Sequence, residues 1–263
     1  MESWLPDELR HAGREHLDPD HAARYDRKED AGAAGELELL AEFGIGRGSR
    51  VVDFGAGTGQ FAMAASKLVR HVTAVDVSEV MLDRLREKVA SSGARNVNCV
   101  LAGFLSYRHE TEPVDLVYTR YALHHLPDFW KAIALDRMAG VLRPGGILRL
   151  WDVVYNFQPG EAIDRLESWM SGTASNVVED GWTRPELEEH VRDENSTFTW
   201  LMEPMIERAG FRVERADYSD DGIFARYICV KLPTGGHIGD QNKAVRRSDC
   251  ALVDFGGVCH AGP

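Results

Sequence analysis

Ten consecutive residues, Val51-Val52-Asp53-Phe54-Gly55-Ala56-Gly57-Thr58-Gly59-Gln60, narrow the possible folds of this chain more than any other stretch. Two β-branched residues lead into an acid and an aromatic. Three glycines then alternate with small residues, and the apolar run Phe61-Ala62-Met63-Ala64-Ala65 follows at once. That order spells a buried strand, a tight turn and a helix start. Glycines without a Cβ permit positive φ and let the backbone come within contact distance of a ligand. Taken alone, the stretch also fits an ordinary glycine-rich turn between a strand and a helix.

The residues downstream repeat the strand–helix rhythm. A second β-branched run ends at Asp76, 21 residues after Gly55. An acid at the end of a second parallel strand faces the ligand crevice of an open α/β sheet and can accept hydrogen bonds from ribose hydroxyls. Ser78 can cap the next helix, with Met81, Leu82, Leu85 and Val89 on one face and Gly93 at its end. Residues 98–103 and 114–119 read as strands three and four. A helix opening at Pro127 or Asp128 packs through Phe129, Ile133, Leu135 and Met138. Residues 142–146 turn the chain into strand five at 147–151. Upstream, the polar first thirty residues place His11, His16 and His21 on a solvated face, and a helix runs over 33–43.

Past Asp152 the rhythm breaks. Residues 154–199 show no clear strand and two helices, one over 161–170 and one opened by the capping box Thr183-Arg184-Pro185-Glu186. The aromatics of this insertion, Trp169 and Trp182 among them, fit either a lid over an organic substrate or simple fastening to the sheet. Two final strands, 211–218 and 223–231, are joined by a short turn and must be antiparallel neighbours. The expected fold is α/β and doubly wound, with a mostly parallel seven-stranded sheet, an antiparallel C-terminal hairpin strand and a helical lid insertion. Residues 232–263, rich in glycine, read as a flexible tail in which Cys259 and His260 are solvated.

Composition removes several classes. The 263 residues carry a formal net charge of −12, which argues against a surface built for nucleic acid or anionic membrane. No apolar run approaches the ~20 residues needed to span a bilayer. The first residues are acidic and lack the apolar core of a signal peptide, so a cytoplasmic, reduced setting is expected. The four cysteines show neither metal-ligand pairing nor a disulfide framework, Cys99 and Cys229 read as small core residues, and no metal site is expected.

Together these residues resemble the class I S-adenosylmethionine-dependent methyltransferases, in the small-molecule branch that includes quinone-biosynthesis enzymes. The resemblance covers residues 51–231. It rests on the glycine stretch, on Asp76-Val77-Ser78, on Leu123-His124-His125-Leu126 and on Leu142-Arg143-Pro144-Gly145-Gly146, in that order. It implies S-adenosyl-L-methionine as cofactor, a small-molecule methyl acceptor and a Rossmann-like fold. It implies that Asp53 orients the glycine loop and the methionine ammonium, that Gly55, Ala56, Gly57 and Gly59 line the methionyl and ribose portion, and that Asp76 holds the ribose hydroxyls. Val77, Gly103 and Phe104 would border adenine, and Thr119 and Arg120 would floor the site near the sulfonium. Phe104 stands where family members often carry an acid that accepts from the adenine amino group. On this reading residues 1–48 form a helical segment over the cofactor site, residues 49–231 the methyltransferase domain, and residues 154–199 its lid. The nicotinamide fingerprint G-x-G-x-x-G is not met, because position 60 is Gln60.

Methyl transfer from a sulfonium is an in-line displacement, so the protein has mainly to align the reactants and exclude water. A base is needed only if the acceptor must lose a proton. His124 and His125 are the candidates, since imidazole titrates near neutral pH, although the pair also fits a structural role. Tyr25, Tyr121, Trp169 and Trp182 are the candidate acceptor-pocket residues. The expected activity is methylation of a small organic acceptor, on oxygen or nitrogen rather than carbon. Non-methylating use of the cofactor, such as cyclisation or carboxymethyl chemistry, and an inactive cofactor-binding protein are the alternatives. The sequence does not fix the oligomeric state.

Overall fold

The structure, a computed structural model, describes residues 4–12, 32–175 and 181–233, and the backbone of 246–247. A short helix α1 (Glu8–His11) and α2 (Ala33–Glu42) precede the sheet. There follow β1 (Arg50–Phe54), α3 (Gln60–Ala65), β2 (His71–Asp76), α4 (Glu79–Ser92), β3 (Val97–Leu101) and β4 (Val114–Arg120). Next come α5 (Asp128–Val141), β5 (Leu142–Tyr155), α6 (Ala162–Thr173), α7 (Arg184–Asp193) and β6 (Thr197–Phe198). The described order closes with α8 (Thr199–Arg208), β7 (Phe211–Tyr218), β8 (Phe224–Lys231) and the two-residue β9 (Arg246–Arg247).

Period-two alternation in the strands builds a core on each face of the sheet. Val52, Phe54, Val117, Leu148 and Leu150 face one way, onto Leu135 and Met138 of α5 and Met202 and Ile206 of α8. Val51, Leu116, Tyr118 and Ile147 face the other, onto Leu37 and Leu40 of α2, Phe61 and Ala65 of α3, and Leu82 and Leu85 of α4. The long strands lie in the order β3-β2-β1-β4-β5-β8-β7, and the chain reverses its winding between β1 and β4. Strands β1 to β5 are parallel, while β8 runs antiparallel to both β5 and β7. Seven long strands are therefore present, with β6 and β9 as two-residue additions on β5 and β7. In such a sheet the crevice at the reversal point, beyond the C-terminal ends of β1 and β4, is where ligands bind.

The elements differ from the sequence reading in four places. Strand five spans 142–155 rather than 147–151, because Leu142 already pairs with Val114 and Val153 still pairs with Phe224. The insertion does contain a strand, β6, too short to show as a periodic pattern, which pairs Thr197 with Val154. Helix α3 stops at Ala65, not near Leu68. Phe129, expected to pack, is 67% exposed and makes an edge contact with Trp130, which in turn stacks on Trp4. Cys229 is fully buried and Cys99 half-buried, both with free thiols. The tail reading falls almost wholly outside the described residues; Arg246 and Arg247 within it extend the edge of β7, whose backbone groups would otherwise lack ladder partners.

Candidate active site

Backbone geometry sets the glycine loop. Gly55 has φ +67°, and a Cβ there would lie 2.3 Å from the Cβ of Ala122, while at Gly59, φ +82°, it would lie 2.1 Å from Leu85 Cδ1. No other residue fits either position without moving a neighbour. Asp76, at the end of β2, accepts from Gly57 N through Oδ2 and from Ser78 N through Oδ1, both at 2.8 Å. One carboxylate thus ties the loop to the second strand and presents its remaining lone pairs to the crevice.

Asp53 lies beneath the loop, 2% exposed, beside Tyr118 of the neighbouring strand. Its Oδ2 is buried without a hydrogen-bond partner. Burial raises its pKa well above the carboxylate range and Asp76 raises it further, against a hydrogen bond from the backbone of Ala62. A buried, unpartnered carboxylate oxygen bordering a crevice is a place made for a cation.

The crevice has two lobes that share Gly55, Gly57 and Tyr121. The larger is bordered by Asp76, Val77, Gly103, Phe104 and His125. The smaller is bordered by Asp53, Ala56, Gln60, Phe61, Tyr118 and Arg120. Phe104 stacks on Phe54 with centroids 5.3 Å apart and closes the apolar end. Glu8 of α1 closes it on the polar side. Its carboxylate accepts from Leu105 N at 2.9 Å, Ser106 N at 3.0 Å and Ser106 Oγ at 2.8 Å. Neighbouring His11, expected on a solvated face, borders the same lobe because α1 docks here; His16 and His21 lie outside the described residues.

At the end of β4 the strand alternates. Tyr118 and Arg120 border the crevice, whereas Thr119 points to the opposite face, fully buried, and does not. The Arg120 guanidinium lies 4.2 Å from the Trp151 ring centroid and 4.8 Å from that of Tyr121. Tyr121 holds φ +50°, the sole non-glycine with positive φ among the described residues. That conformation is uncommon for an aromatic and marks the site as held in place by its surroundings. Arg149 on β5 is 1% exposed and forms a two-pronged pair with Glu36, both contacts at 2.7 Å.

The two histidines separate. His124 is buried and its Nδ1 contacts Asp152 Oδ1, while its backbone N donates to Asp152 Oδ2 at 3.0 Å. Its Nε2 lies 3.0 Å from Glu194 Oε2. Burial opposes charge on this ring, but Asp152 and Glu194 together outweigh it and raise the pKa to about 10. His125, by contrast, borders the larger lobe, with Nδ1 3.8 Å from Glu194 Oε1. Asn195 fixes this arrangement, donating N to His124 O at 3.0 Å and Nδ2 to His125 O at 3.1 Å.

Trp169 and Trp182 do not border the crevice. Trp169, 7% exposed, packs with Tyr155, Phe157, Leu187 and Phe224, and Trp182 lies against the same cluster. Tyr25 lies outside the described residues. Sequence reasoning missed Glu8, Asp152, His190 and Glu194. Asp152 carried a signal, an acid near the C-terminal end of a central strand; the others reach the site only through tertiary contacts.

Residues 51–146 match a family described as methyltransferase domain. A methyltransferase domain spans these residues. Its glycine loop, Asp76 and His124-His125 all lie inside the matched span. The domain is similar to the demethylmenaquinone methyltransferase of Staphylococcus aureus, 34% identical over 113 residues, covering 42% of this chain and 45% of the relative. The chain thus aligns with less than half the length of the curated relatives it matches. The methyltransferase fold extends further. A solved S-adenosylmethionine-dependent methyltransferase from Clostridium acetobutylicum superposes with TM-score 0.65 at 12% identity, covering 81% of this chain and 98% of that one. Magnesium protoporphyrin IX methyltransferase from Synechocystis, solved with the cofactor bound, gives TM-score 0.59 at 14% identity over 88% of this chain and all of that one. The unpartnered Asp53 oxygen and the loop-tied Asp76 fit the ammonium and the ribose of S-adenosyl-L-methionine, the cofactor bound in the Synechocystis structure.

Proposed function

We propose that the chain methylates a small organic acceptor on oxygen or nitrogen. The observation that carries this reading is the single crevice that brings Asp53, Asp76 and His125 together. When bound, S-adenosylmethionine supplies an electrophilic methyl group on a sulfonium sulfur. Asp53 pairs with the ammonium, Asp76 accepts from the ribose hydroxyls, and Val77 and Phe104 pack on the base. Tyr121, common to both lobes, positions the acceptor, and the His125 end of the crevice is where the acceptor sheds its proton. Overall, an acceptor of type ROH or RNH gains the methyl and releases one proton.

Residues 1–48 cover the cofactor and residues 154–199 form a lid that excludes water, a role supported by the contacts of Glu8 and of Asn195. The partner is a small molecule rather than nucleic acid, in keeping with the net charge of −12. A cytoplasmic setting fits. Among the described residues no helix is long and apolar enough to cross a membrane.

Calorimetric titration with S-adenosylmethionine tests the cofactor site. Saturable binding that weakens at least tenfold in Asp76→Ala is expected, and unchanged binding in that variant rejects the assignment. Methyl-labelled cofactor offered with panels of phenols, carboxylic acids and amines then tests transfer.

A further inference from the structure

Three imidazoles and a carboxylate meet around His124, and one of them, His125, borders the larger lobe. We propose that His124, His125 and Glu194, with His190 beside them, bind a divalent first-row transition-metal ion. The ring nitrogens of His124 and His125 and a carboxylate oxygen of Glu194 lie within 4.8 Å of one another. His124 Nε2 stands 3.0 Å from Glu194 Oε2, and His190 Nδ1 contacts the same oxygen. Bonds of about 2.0–2.2 Å to one ion put neighbouring donor atoms roughly 3–3.5 Å apart, so only small adjustments are needed. Glu194 Oε2 is buried between these two ring nitrogens.

The outer contacts fit as well. A ligating histidine normally gives its other ring nitrogen to a carboxylate or carbonyl, which sets its tautomer. His124 does so through Nδ1 to Asp152, itself fully buried. His190 has Ser196 Oγ 3.5 Å from its Nε2. The scaffold is built from two distant segments held in register: Asn195 bonds the carbonyls of both His124 and His125, and Lys131 contacts the Asn195 carbonyl and lies 2.8 Å from Asp128. The ligand set, imidazole with carboxylate, suits zinc, manganese, iron or cobalt rather than calcium or magnesium. Two carboxylates, Asp152 and Glu194, flank His124, so a dication that displaces the proton from its ring meets compensating negative charge. No metal site is expected from the sequence, because its members come from residues 124–125, 152 and 190–194 and show no ligand spacing in the chain.

Beside the acceptor end of the crevice, such an ion would bind an acceptor oxygen and ease its ionisation. That role rests on the proposed function, whereas metal binding itself does not.

The test uses the full chain stripped of metal by chelator. Titration with Co²⁺ should give visible ligand-field absorption that saturates at one equivalent and is displaced by Zn²⁺. Asp152→Asn should weaken Co²⁺ binding roughly 10–100-fold, and Glu194→Gln, which preserves size, at least as much. Circular dichroism confirms that each variant is folded. Absence of saturable absorption in the wild-type chain, or affinity unchanged in both variants, overturns the site. S-Adenosylhomocysteine binding, measured by calorimetry on the same metal-free sample, reads the cofactor site separately. Metal binding without cofactor binding would reject the proposed function and leave the metal site standing.

Discussion

The carboxylate of Glu8 occupies the space that a side chain on Gly103 would need: a Cβ at position 103 would sit 2.3 Å from Glu8 Oε1. The acid missing from position 104 is thus matched by one brought from the N-terminal helix, which accepts from the backbone of Leu105 and Ser106. Glu8→Ala removes those acceptors. It is expected to cost about 1 kcal/mol of stability in urea unfolding and to weaken cofactor binding several-fold. Gly103→Ala should displace α1 and reproduce the loss of affinity.

Asp53 separates stability from binding. Its raised pKa means that the ligand-free fold binds more protons than the unfolded chain between the ordinary carboxylate range and the folded value. Stability therefore falls as pH rises through that window. Asp53→Asn removes the buried charge, and is expected to flatten this pH dependence and raise the melting temperature of the ligand-free protein. The same variant should bind S-adenosylmethionine at least tenfold more weakly. Calorimetry and thermal melts across pH check both arms.

Arg149 and Glu36 form a buried pair whose members depend on each other. Arg149→Leu alone leaves a buried carboxylate and is expected to cost about 3–5 kcal/mol. Adding Glu36→Leu should recover most of that loss. A double-mutant cycle by urea denaturation measures the coupling.

Trp169 distinguishes fastening from substrate contact. Trp169→Ala empties a buried site in the cluster of Tyr155, Leu187 and Phe224, for about 3 kcal/mol. Affinity for S-adenosylhomocysteine should stay within twofold of wild type, since the ring does not border the crevice.

The elements legible in the sequence are those whose signal is local. Val51 through Gly59 declares its strand and turn through β-branching and glycine, and Asp76 declares itself by spacing. The terminal hairpin declares itself by its short turn. A motif position does not say which face of a strand a side chain takes; alternation sets Tyr118 and Arg120 against the crevice and Thr119 in the core. Trp169 and Trp182 left two readings open because aromatic content does not distinguish a pocket wall from packing. Glu8 and Glu194 reach the site only through tertiary contacts, the Glu8 bonds spanning 97 and 98 positions. His124 and His125, adjacent in the chain, face different surroundings, and only the placement of Asp152 and Glu194 separates them.

The two bonds from Asn195 to the carbonyls of His124 and His125 make the insertion non-modular. A transplant of residues 154–199 from a relative would leave the 123–125 turn without its clamp. Re-engineering this segment therefore calls for substitutions within it, with Glu194 and Asn195 kept, rather than for its exchange as a cassette.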